Sequence, residues 1–377
     1  MLRSAPRLLA AALLLIVCTA SLADDQVDGD YKSAFVMDYA TGDTLFSANA
    51  HLPLPPASMV KMMTELIVLE HIGMGELGMD DVVTVSRDAS GMGGSQVYLR
   101  TGETFSVHDL LMALAIHSAN DAAVALAEHL AGSTDAFVEL MNLRARELGM
   151  NDTRFHFVHG LPPARGQEPD LSSAHDMALL GRELAHHDEA LAWAVMDQVP
   201  FRGGAFLLTN PNPLVGKYRG LEGIKTGYHD DAGFCLTAAA TQKGVRLISV
   251  VMGAPDNESR GRETTRLLSR GFAQYTRLTL VPTAREPLPD PVAVKGGAVR
   301  EVALLYAAPL EVGVRKEQSE AVRLEHRLPA KLDAPLSAGQ VVGKAVATAD
   351  GKVLGETPII VAEDVEKGSL LQRLLHR

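Results

Sequence analysis

Alternating apolar and polar residues mark strands near the start and in the middle of the chain. The segment KSAFVMDYATGDTLFSANA at 32–50 alternates around a Thr-Gly-Asp turn, which predicts a β-hairpin. Three more strand-like segments, at 220–227, 234–242 and 245–254, are separated by short turn-like sequences. A segment at 260–275 then predicts a closing helix. Residues 32–275 therefore begin with two predicted strands and contain three more near their end.

The residues between those strands carry mostly helical patterns. The stretch at 58–72 is apolar on almost every side, which is typical of a helix buried in the centre of a domain. The stretch at 106–117 opens with Ser106 and Asp109 in the spacing of a capping box. A helical insert between two strands and three strands favours an antiparallel sheet of about five strands with helices on both faces, an α+β fold. Further helices are predicted at 121–132, 134–149 and 173–196.

The patterns also divide the chain into a large and a small domain. Proline-rich residues 279–292 predict a linker after a first domain at 24–278. Residues 293–362 carry short alternating segments and an Asp350-Gly351 hairpin turn, which predict a small all-β domain. A short tail follows at 363–377. Its leucines fall on one helical face, at Leu370, Leu371, Leu374 and Leu375.

The N-terminal residues have the organisation of a secretory signal peptide. Arg3 and Arg7 are basic, and the apolar stretch that follows them is too short to span a bilayer. Small residues precede a cleavage site that we place after Ala23, so residues 1–23 are the predicted signal peptide. A lipoprotein signal at Cys18 is the competing interpretation, but valine is a poor residue before a lipidated cysteine.

Charge and cysteine content narrow the class of protein. The chain carries a net charge of −11, and removal of the predicted signal peptide would make it −13. So acidic a protein is not expected to bind nucleic acid. Only Cys235 would then remain, so no intramolecular disulfide is possible. An exported chain without disulfides fits a bacterial periplasm, and we interpret the glycosylation-like motifs at Asn151 and Asn257 as chance matches.

A serine and a lysine at the start of the central helix suggest nucleophilic catalysis. Ser58 and Lys61 are three residues apart and therefore share a helix face. A serine hydroxyl is a weak nucleophile until a base takes its proton, and a desolvated lysine with a lowered pKa can be that base. The alternative is structural: Ser58 caps the helix and the Lys61 side chain reaches the surface. Because S-x-x-K is a common pattern, the pair alone favours the structural alternative.

Two further motifs carry polar groups of the same kind. Ser118 and Asn120 lie in the short gap between two predicted helices, where a hydroxyl could relay a proton and an amide could hold a substrate carbonyl. The alternative is that Asn120 simply caps the next helix. Lys225-Thr226-Gly227 ends a predicted strand, where a cation and a hydroxyl could bind a carboxylate and Gly227 would leave room for a substrate backbone. An ordinary lysine on an edge strand is the alternative there.

The three motifs together are more specific than any one of them. S-x-x-K, S-x-N and K-T-G occur in this order in the penicillin-recognising serine enzymes. The chain resembles the low-molecular-mass penicillin-binding proteins of class C, type 5, which are D-alanyl-D-alanine carboxypeptidases of peptidase family S11. The resemblance covers roughly residues 25–277, and more weakly the β-domain and tail. It implies a β-lactamase/transpeptidase-like fold for the first domain and no cofactor.

The resemblance also implies roles for the motif residues. Ser58 would form an acyl-enzyme with the penultimate D-alanine of a peptidoglycan pentapeptide stem, and Lys61 would be the general base. Ser118 and Asn120 would complete the proton relay and the substrate clamp. Penicillins mimic the D-Ala-D-Ala end of the stem and would acylate Ser58. Lys225 and Thr226 would hold the substrate carboxylate.

By the same resemblance, the backbone N–H groups of Ser58 and Tyr228 would stabilise the oxyanion. The family often has His-Thr after the K-T-G motif, where this chain has Tyr228-His229. Arg260 and Arg262 either assist carboxylate binding near Lys225 or simply solvate the start of a helix.

Other functions remain open at this stage. A serine β-lactamase would need a base for deacylation, and Glu139 and Asn142 follow the S-x-N motif too soon to provide the expected pair. A catalytically idle wall-binding protein on the same fold is a second alternative, and an endopeptidase specificity is a third. The histidines show no metal-ligand spacing, so we expect no metal site. We expect a periplasmic enzyme, with the leucine-rich tail in peripheral contact with the outer face of the cytoplasmic membrane.

Overall fold

A computed structural model describes residues 27–369 of the protein. The predicted signal peptide and most of the leucine-rich tail lie outside the described residues. The helices are α1 (Lys61–Gly73), α2 (Arg87–Ser90), α3 (Val107–His117), α4 (Asn120–Ala131), α5 (Thr134–Glu147), α6 (Ala174–Leu184), α7 (Asp188–Ala194) and α8 (Asn257–Ala273).

The strands are β1 (Ser33–Asp38), β2 (Thr44–Ala48), β3 (Val82–Thr84), β4 (Thr104–Ser106), β5 (Gln198–Phe201), β6 (Phe206–Thr209), β7 (Leu221–His229), β8 (Gly233–Gln242), β9 (Val245–Ala254), β10 (Tyr275–Val281), β11 (Val292–Lys295), β12 (Glu301–Val302), β13 (Leu304–Tyr306), β14 (Leu310–Arg315), β15 (Arg323–Arg327), β16 (Lys331–Asp333), β17 (Val341–Ala349) and β18 (Lys352–Val361).

The larger part of the molecule is built on a five-stranded antiparallel sheet in the order β2-β1-β9-β8-β7. Alternate residues of each strand face opposite sides. On β1, Ala34 and Val36 pack with α8, whereas Phe35 and Met37 join the core formed by the other helices. The predicted fold class is confirmed, with helices on both faces of the sheet. Strand β7 forms one edge, which leaves one of its sides without a neighbouring strand.

Several predicted elements differ in detail from the observed ones. The central helix starts with a 3₁₀ turn at Ala57–Val60, and its α-helical part begins only at Lys61. The helix predicted at 173–196 is two helices, because the chain turns at His186 and His187. The short hairpin of β5 and β6 had no clear sequence signal, since its strands are only four residues long.

The smaller part contains only β-strands and one 3₁₀ turn among its described residues. A four-stranded sheet, β13-β18-β17-β15, and a three-stranded sheet, β12-β11-β16, enclose a core of aliphatic side chains. The predicted Asp350-Gly351 turn joins β17 to β18, with both residues at positive φ. The predicted linker begins inside β10, which pairs with β14 and so ties the two parts together.

Candidate active site

The nucleophile candidate lies on a turn held under backbone strain. Ala57 has φ +50°, a value that non-glycine residues rarely adopt. It introduces the 3₁₀ turn that carries Ser58, and the following α-helix starts at Lys61. The Lys61 Nζ lies 2.9 Å from Ser58 Oγ and donates a 2.7 Å hydrogen bond to the carbonyl oxygen of His159. The lysine amine is therefore fixed next to the serine hydroxyl.

The surroundings of Lys61 favour its neutral form. The side chain is fully buried, and loss of hydration lowers its pKa well below the ordinary value. The positive charge of Lys225 lowers the pKa further, while Asp121 and Asp170 act in the opposite direction. A neutral amine has a free lone pair, so Lys61 can take a proton from Ser58 Oγ.

The second motif is placed by the junction between α3 and α4. Ser118 ends α3 in the left-handed conformation, with φ +64°, and the chain re-enters a helix at Asn120. The Asn120 Nδ2 donates to the carbonyl oxygen of Gly93 at 2.7 Å. Ser118 Oγ and Asn120 Oδ1 are buried, and neither has a hydrogen-bond partner within residues 27–369. Only Ser118 lines the cleft, so its unpaired hydroxyl is the one directly available to a substrate, whereas Asn120 is buried beside it.

The third motif lies on the edge strand β7. The cleft wall includes Thr226, Gly227 and the half-exposed Tyr228. A Cβ atom on Gly227 would approach the carbonyl oxygen of Pro56 to 2.5 Å. The expectation that Gly227 makes room for a substrate backbone is therefore not supported, because the space beside it is filled by the turn that carries the nucleophile.

Lys225 lies deeper than the other residues of its motif. It is only 2% exposed, and its Nζ donates to the carbonyl oxygen of Thr226 at 3.2 Å. Burial lowers the pKa of Lys225 to about 7 and the charge of Arg260 lowers it too, whereas the nearby carboxyl of Glu65 acts in the opposite direction. Glu65 is itself buried one turn after Lys61, and burial raises the pKa of this carboxyl to about 8.

A second cation lies in the cleft wall. Arg260 of α8 is 3% exposed and donates through Nη1 to the carbonyl oxygens of Gly227 and Cys235, at 3.3 and 3.2 Å. Its Nε has no partner within the described part of the chain. Arg262, by contrast, is half exposed and pairs with Asp30. Of the two arginines considered from the sequence, only Arg260 lines the cleft.

These elements enclose an open cleft of about 350 Å³. Lys61, Asn120 and Lys225 lie buried behind its wall. The structure thus brings all eight predicted site residues into one region, although they come from three distant parts of the chain. The cleft is lined by Ser58, Ser95, Ser118, Pro211, Thr226, Gly227, Tyr228, Phe234, Asn257 and Arg260.

Several residues that shape the site escaped sequence reasoning. The carbonyl of His159 holds Lys61 across 98 positions of sequence, and no local pattern indicates such a contact. Gly160 follows with φ +72°, and a Cβ there would lie 2.0 Å from the carbonyl oxygen of Ala57. Asp121 is buried beside Asn120 and accepts hydrogen bonds from the backbone of Val97 and Leu99. A single aspartate in the first turn of a predicted helix gives no sign of this role.

Residues 27–369 contain no group of three or more His, Cys, Asp and Glu side chains arranged to hold a metal ion. Within the same residues, no helix combines the length and the apolar character that crossing a bilayer would require.

Two family models match the chain. One, described as D-alanyl-D-alanine carboxypeptidase, matches residues 20–256, and the other, described as the C-terminal domain of penicillin-binding protein 5, matches residues 286–367. The D-alanyl-D-alanine carboxypeptidase DacF of Bacillus subtilis is 36% identical over 90% of this chain and 87% of its own length.

Solved structures of penicillin-binding proteins are also similar to this chain. Penicillin-binding protein 5 from Haemophilus influenzae is 32% identical and has a TM-score of 0.64, covering 90% of this chain and 98% of that one. Penicillin-binding protein D2 from Listeria monocytogenes, solved in an ampicillin-bound form, is 34% identical. It has a TM-score of 0.59 and covers 65% of this chain and 98% of that one.

Proposed function

Since the chain belongs to the D-alanyl-D-alanine carboxypeptidase family, peptidase family S11, we propose that Ser58 removes the terminal D-alanine from peptidoglycan pentapeptide stems. The observation that carries this proposal is the buried Lys61 amine at 2.9 Å from Ser58 Oγ. It supplies the base that a serine nucleophile needs. The cleft beside it is open to a peptide and lined by hydroxyl, amide and cationic groups.

Acylation begins when Ser58 Oγ attacks the carbonyl carbon of the penultimate D-alanine. The hydroxyl proton passes to the neutral amine of Lys61, and the carbonyl oxygen becomes an oxyanion. The backbone N–H groups of Ser58 and Tyr228 would stabilise this oxyanion, and such a donor is worth about 3 kcal/mol in the transition state. Peptide-bond cleavage then leaves an ester on Ser58.

The departing amine needs a proton. Ser118 Oγ has no partner within the described chain and lies in the same cleft as Ser58. We assign it the relay that carries the proton from Lys61 to the nitrogen of the leaving D-alanine. Water then attacks the ester, and Ser58 regains its proton as the shortened stem is released. Asn120 lies beside this path, and its free Oδ1 can accept a hydrogen bond from the substrate backbone.

Recognition of the terminal carboxylate falls to β7 and α8. The Thr226 hydroxyl can donate to the carboxylate, and Arg260 and Lys225 supply positive charge from the wall and from beneath it. The substrate backbone can lie along β7 because this strand has no neighbour on its outer side. An edge strand with Lys225 and Arg260 beside it therefore favours peptides with a free C-terminus.

A β-lactam should acylate the same serine and be released slowly. The two residues weighed from the sequence as a deacylation pair do not face the cleft. Glu139 is exposed on α5, and the Asn142 side chain bonds to the backbone at Val138 and Phe155. A hydrolytic β-lactamase is therefore the less favoured function.

The first test measures intact-protein mass after brief incubation with benzylpenicillin, together with D-alanine release from diacetyl-L-Lys-D-Ala-D-Ala. We expect one stable adduct and D-alanine release in the wild type, and neither in Ser58→Ala. The exposed Ser337 provides the matched control, since Ser337→Ala should behave like wild type. D-Alanine release by Ser58→Ala at the wild-type rate would overturn the assignment. Rapid penicillin turnover without D-alanine release would indicate a β-lactamase.

We also propose export to the periplasm, on the basis of the basic and apolar organisation of residues 1–23. The division into a catalytic domain at 24–278, a linker at 279–292 and a β-domain at 293–362 remains a proposal of the same kind. The tail at 363–377 would make peripheral contact with an anionic membrane through its leucines and basic residues. N-terminal sequencing of the exported protein tests cleavage after Ala23. Flotation with anionic vesicles, with and without residues 363–377, tests the tail.

A further inference from the structure

An exposed aromatic residue near the cleft is held in an unfavourable backbone conformation. Tyr98 is 63% exposed and has φ +56°, whereas its neighbours Val97 and Leu99 are buried. A bulky residue at positive φ costs conformational free energy and persists only where the surroundings enforce it. A loop residue at positive φ that had no function would more often be glycine or asparagine, which adopt this conformation more easily. The fold therefore presents this ring to solvent at an energetic cost.

The backbone around Tyr98 is clamped on both sides. The carboxylate of Asp121 accepts from the N–H groups of Val97 and Leu99, with distances of 3.0 Å at Oδ2 for both. The Arg202 Nη2 donates to the carbonyl oxygen of Tyr98 at 2.8 Å. Since Asp121 directly follows Asn120, the clamp ties the position of Tyr98 to the S-x-N motif.

The ring of Tyr98 continues into an apolar surface on the β5–β6 hairpin. Phe206 lies 6.0 Å from it, centroid to centroid, in an edge-to-face arrangement. Phe206 also packs edge-to-face on His117, at 5.3 Å, and His117 precedes Ser118. Leu207, the next residue on the hairpin, is 47% exposed. We refer to Tyr98, Phe206 and Leu207 as the aromatic rim.

The loop that carries Tyr98 also contributes to the cleft. Ser95 lines the cleft, and its carbonyl oxygen accepts a 2.7 Å hydrogen bond from the backbone N–H of Asn120. Gly93, two residues earlier, accepts from the Asn120 side chain. The rim is therefore connected to the reacting groups through a short and rigid stretch of chain.

We propose that the aromatic rim is a specificity subsite for the aliphatic side chain of the residue that precedes the two D-alanines. This inference rests on the proposed carboxypeptidase function. In the proposed mode of binding, the carboxylate end of the stem lies against Thr226 and Arg260, and the preceding residues would extend along the cleft toward the loop that carries Ser95 and Tyr98. An aromatic face binds methylene groups through burial and dispersion, and the diamino acid at this position of the stem carries a chain of them.

The test compares two substrates that differ only in that side chain: diacetyl-L-Lys-D-Ala-D-Ala and acetyl-L-Ala-D-Ala-D-Ala. For Tyr98→Ala we expect kcat/KM to fall about tenfold on the lysine substrate and less than twofold on the alanine substrate. Tyr98→Phe keeps the ring and should match wild type on both. Val341→Ala removes an equally exposed apolar side chain from the β-domain and should change neither value.

Acylation by 6-aminopenicillanic acid, a penicillin without an acyl side chain, checks that Tyr98→Ala keeps a functional nucleophile. If that acylation rate is unchanged, an equal fall in kcat/KM on both substrates would overturn the subsite. Tyr98 would then only maintain the shape of its loop. No loss on either would also overturn it. A loss seen only with a disaccharide-linked pentapeptide would make the glycan the occupant and reject the side-chain proposal. If the wild type releases D-alanine from no substrate, the proposed function fails, and this inference fails with it.

Discussion

Replacing Glu65 by glutamine should stabilise the catalytic part of the protein at neutral pH but not at acidic pH. The carboxyl is 3% exposed, its Oε1 has no hydrogen-bond partner within residues 27–369, and burial raises its pKa to about 8 from an ordinary 4.5. The folded protein therefore binds a proton that the unfolded chain releases between these two values. Folding becomes less favourable as the pH rises through that interval.

The magnitude follows from the two pKa values. Each pH unit between 4.5 and 8 costs about 1.4 kcal/mol, so the penalty is close to zero below pH 4.5 and about 3 kcal/mol at pH 7. Glutamine has nearly the same shape and carries no charge at any pH. The free energy of unfolding of Glu65→Gln, relative to wild type, should therefore increase by about 3 kcal/mol between pH 4.5 and pH 7.

Urea unfolding followed by tryptophan fluorescence is the appropriate assay. Trp193 is the only tryptophan of the chain and is buried in α7, so its signal reports on the catalytic part alone. The exposed Glu139 gives the matched control, because Glu139→Gln makes the same chemical change at a carboxyl that is not buried. A difference between wild type and Glu65→Gln that does not change with pH would refute the argument.

Three further predictions concern catalysis directly. Gly227→Ala would place a Cβ 2.5 Å from the carbonyl oxygen of Pro56. We therefore expect the unfolding free energy to fall by about 1–3 kcal/mol and penicillin acylation to slow. An unchanged melting temperature and acylation rate would contradict this. Lys61→Arg should be acylated by penicillin at least about 100-fold more slowly at pH 7, because a guanidinium cannot take the proton of Ser58. Acylation of the wild type should persist well below pH 10.5, because the pKa of Lys61 is lowered from that value. Arg260→Gln should raise KM about tenfold for a free-carboxylate peptide but not for its C-terminal amide, and equal effects on both would exclude carboxylate binding.

Local patterns were sufficient for most of the scaffold. The period-two alternation of β1 placed Phe35 and Val36 on opposite faces, and Ser106 caps α3 by accepting from the N–H of Asp109, as its spacing predicted. Such features depend on residues within a few positions of each other. The helix predicted at 173–196 is divided into two because the chain turns at 185–187, where no glycine or proline marks the break in the sequence.

The site itself was only partly predictable. The motif residues were found because each motif spans only three or four consecutive residues. The partners that determine their chemistry, such as the carbonyl of His159 for Lys61, come from elsewhere in the chain. The role of Gly227 was also hidden, because a missing side chain gives no indication of what would otherwise occupy its place.

The buried charges behind the cleft are best understood as one set. Lys61, Lys225 and Arg260 are each nearly inaccessible to solvent, and three unbalanced cations so close together would strongly oppose folding. Burial lowers the pKa of both lysines. The charge of Lys225 lowers the pKa of Lys61 further, and the charge of Arg260 does the same at Lys225, where Glu65 acts in the opposite direction. Lys61 can therefore be neutral and act as a base while positive charge remains for a carboxylate. A change at any one of these groups should alter both the rate of acylation and the binding of substrate, because the same charges set both properties.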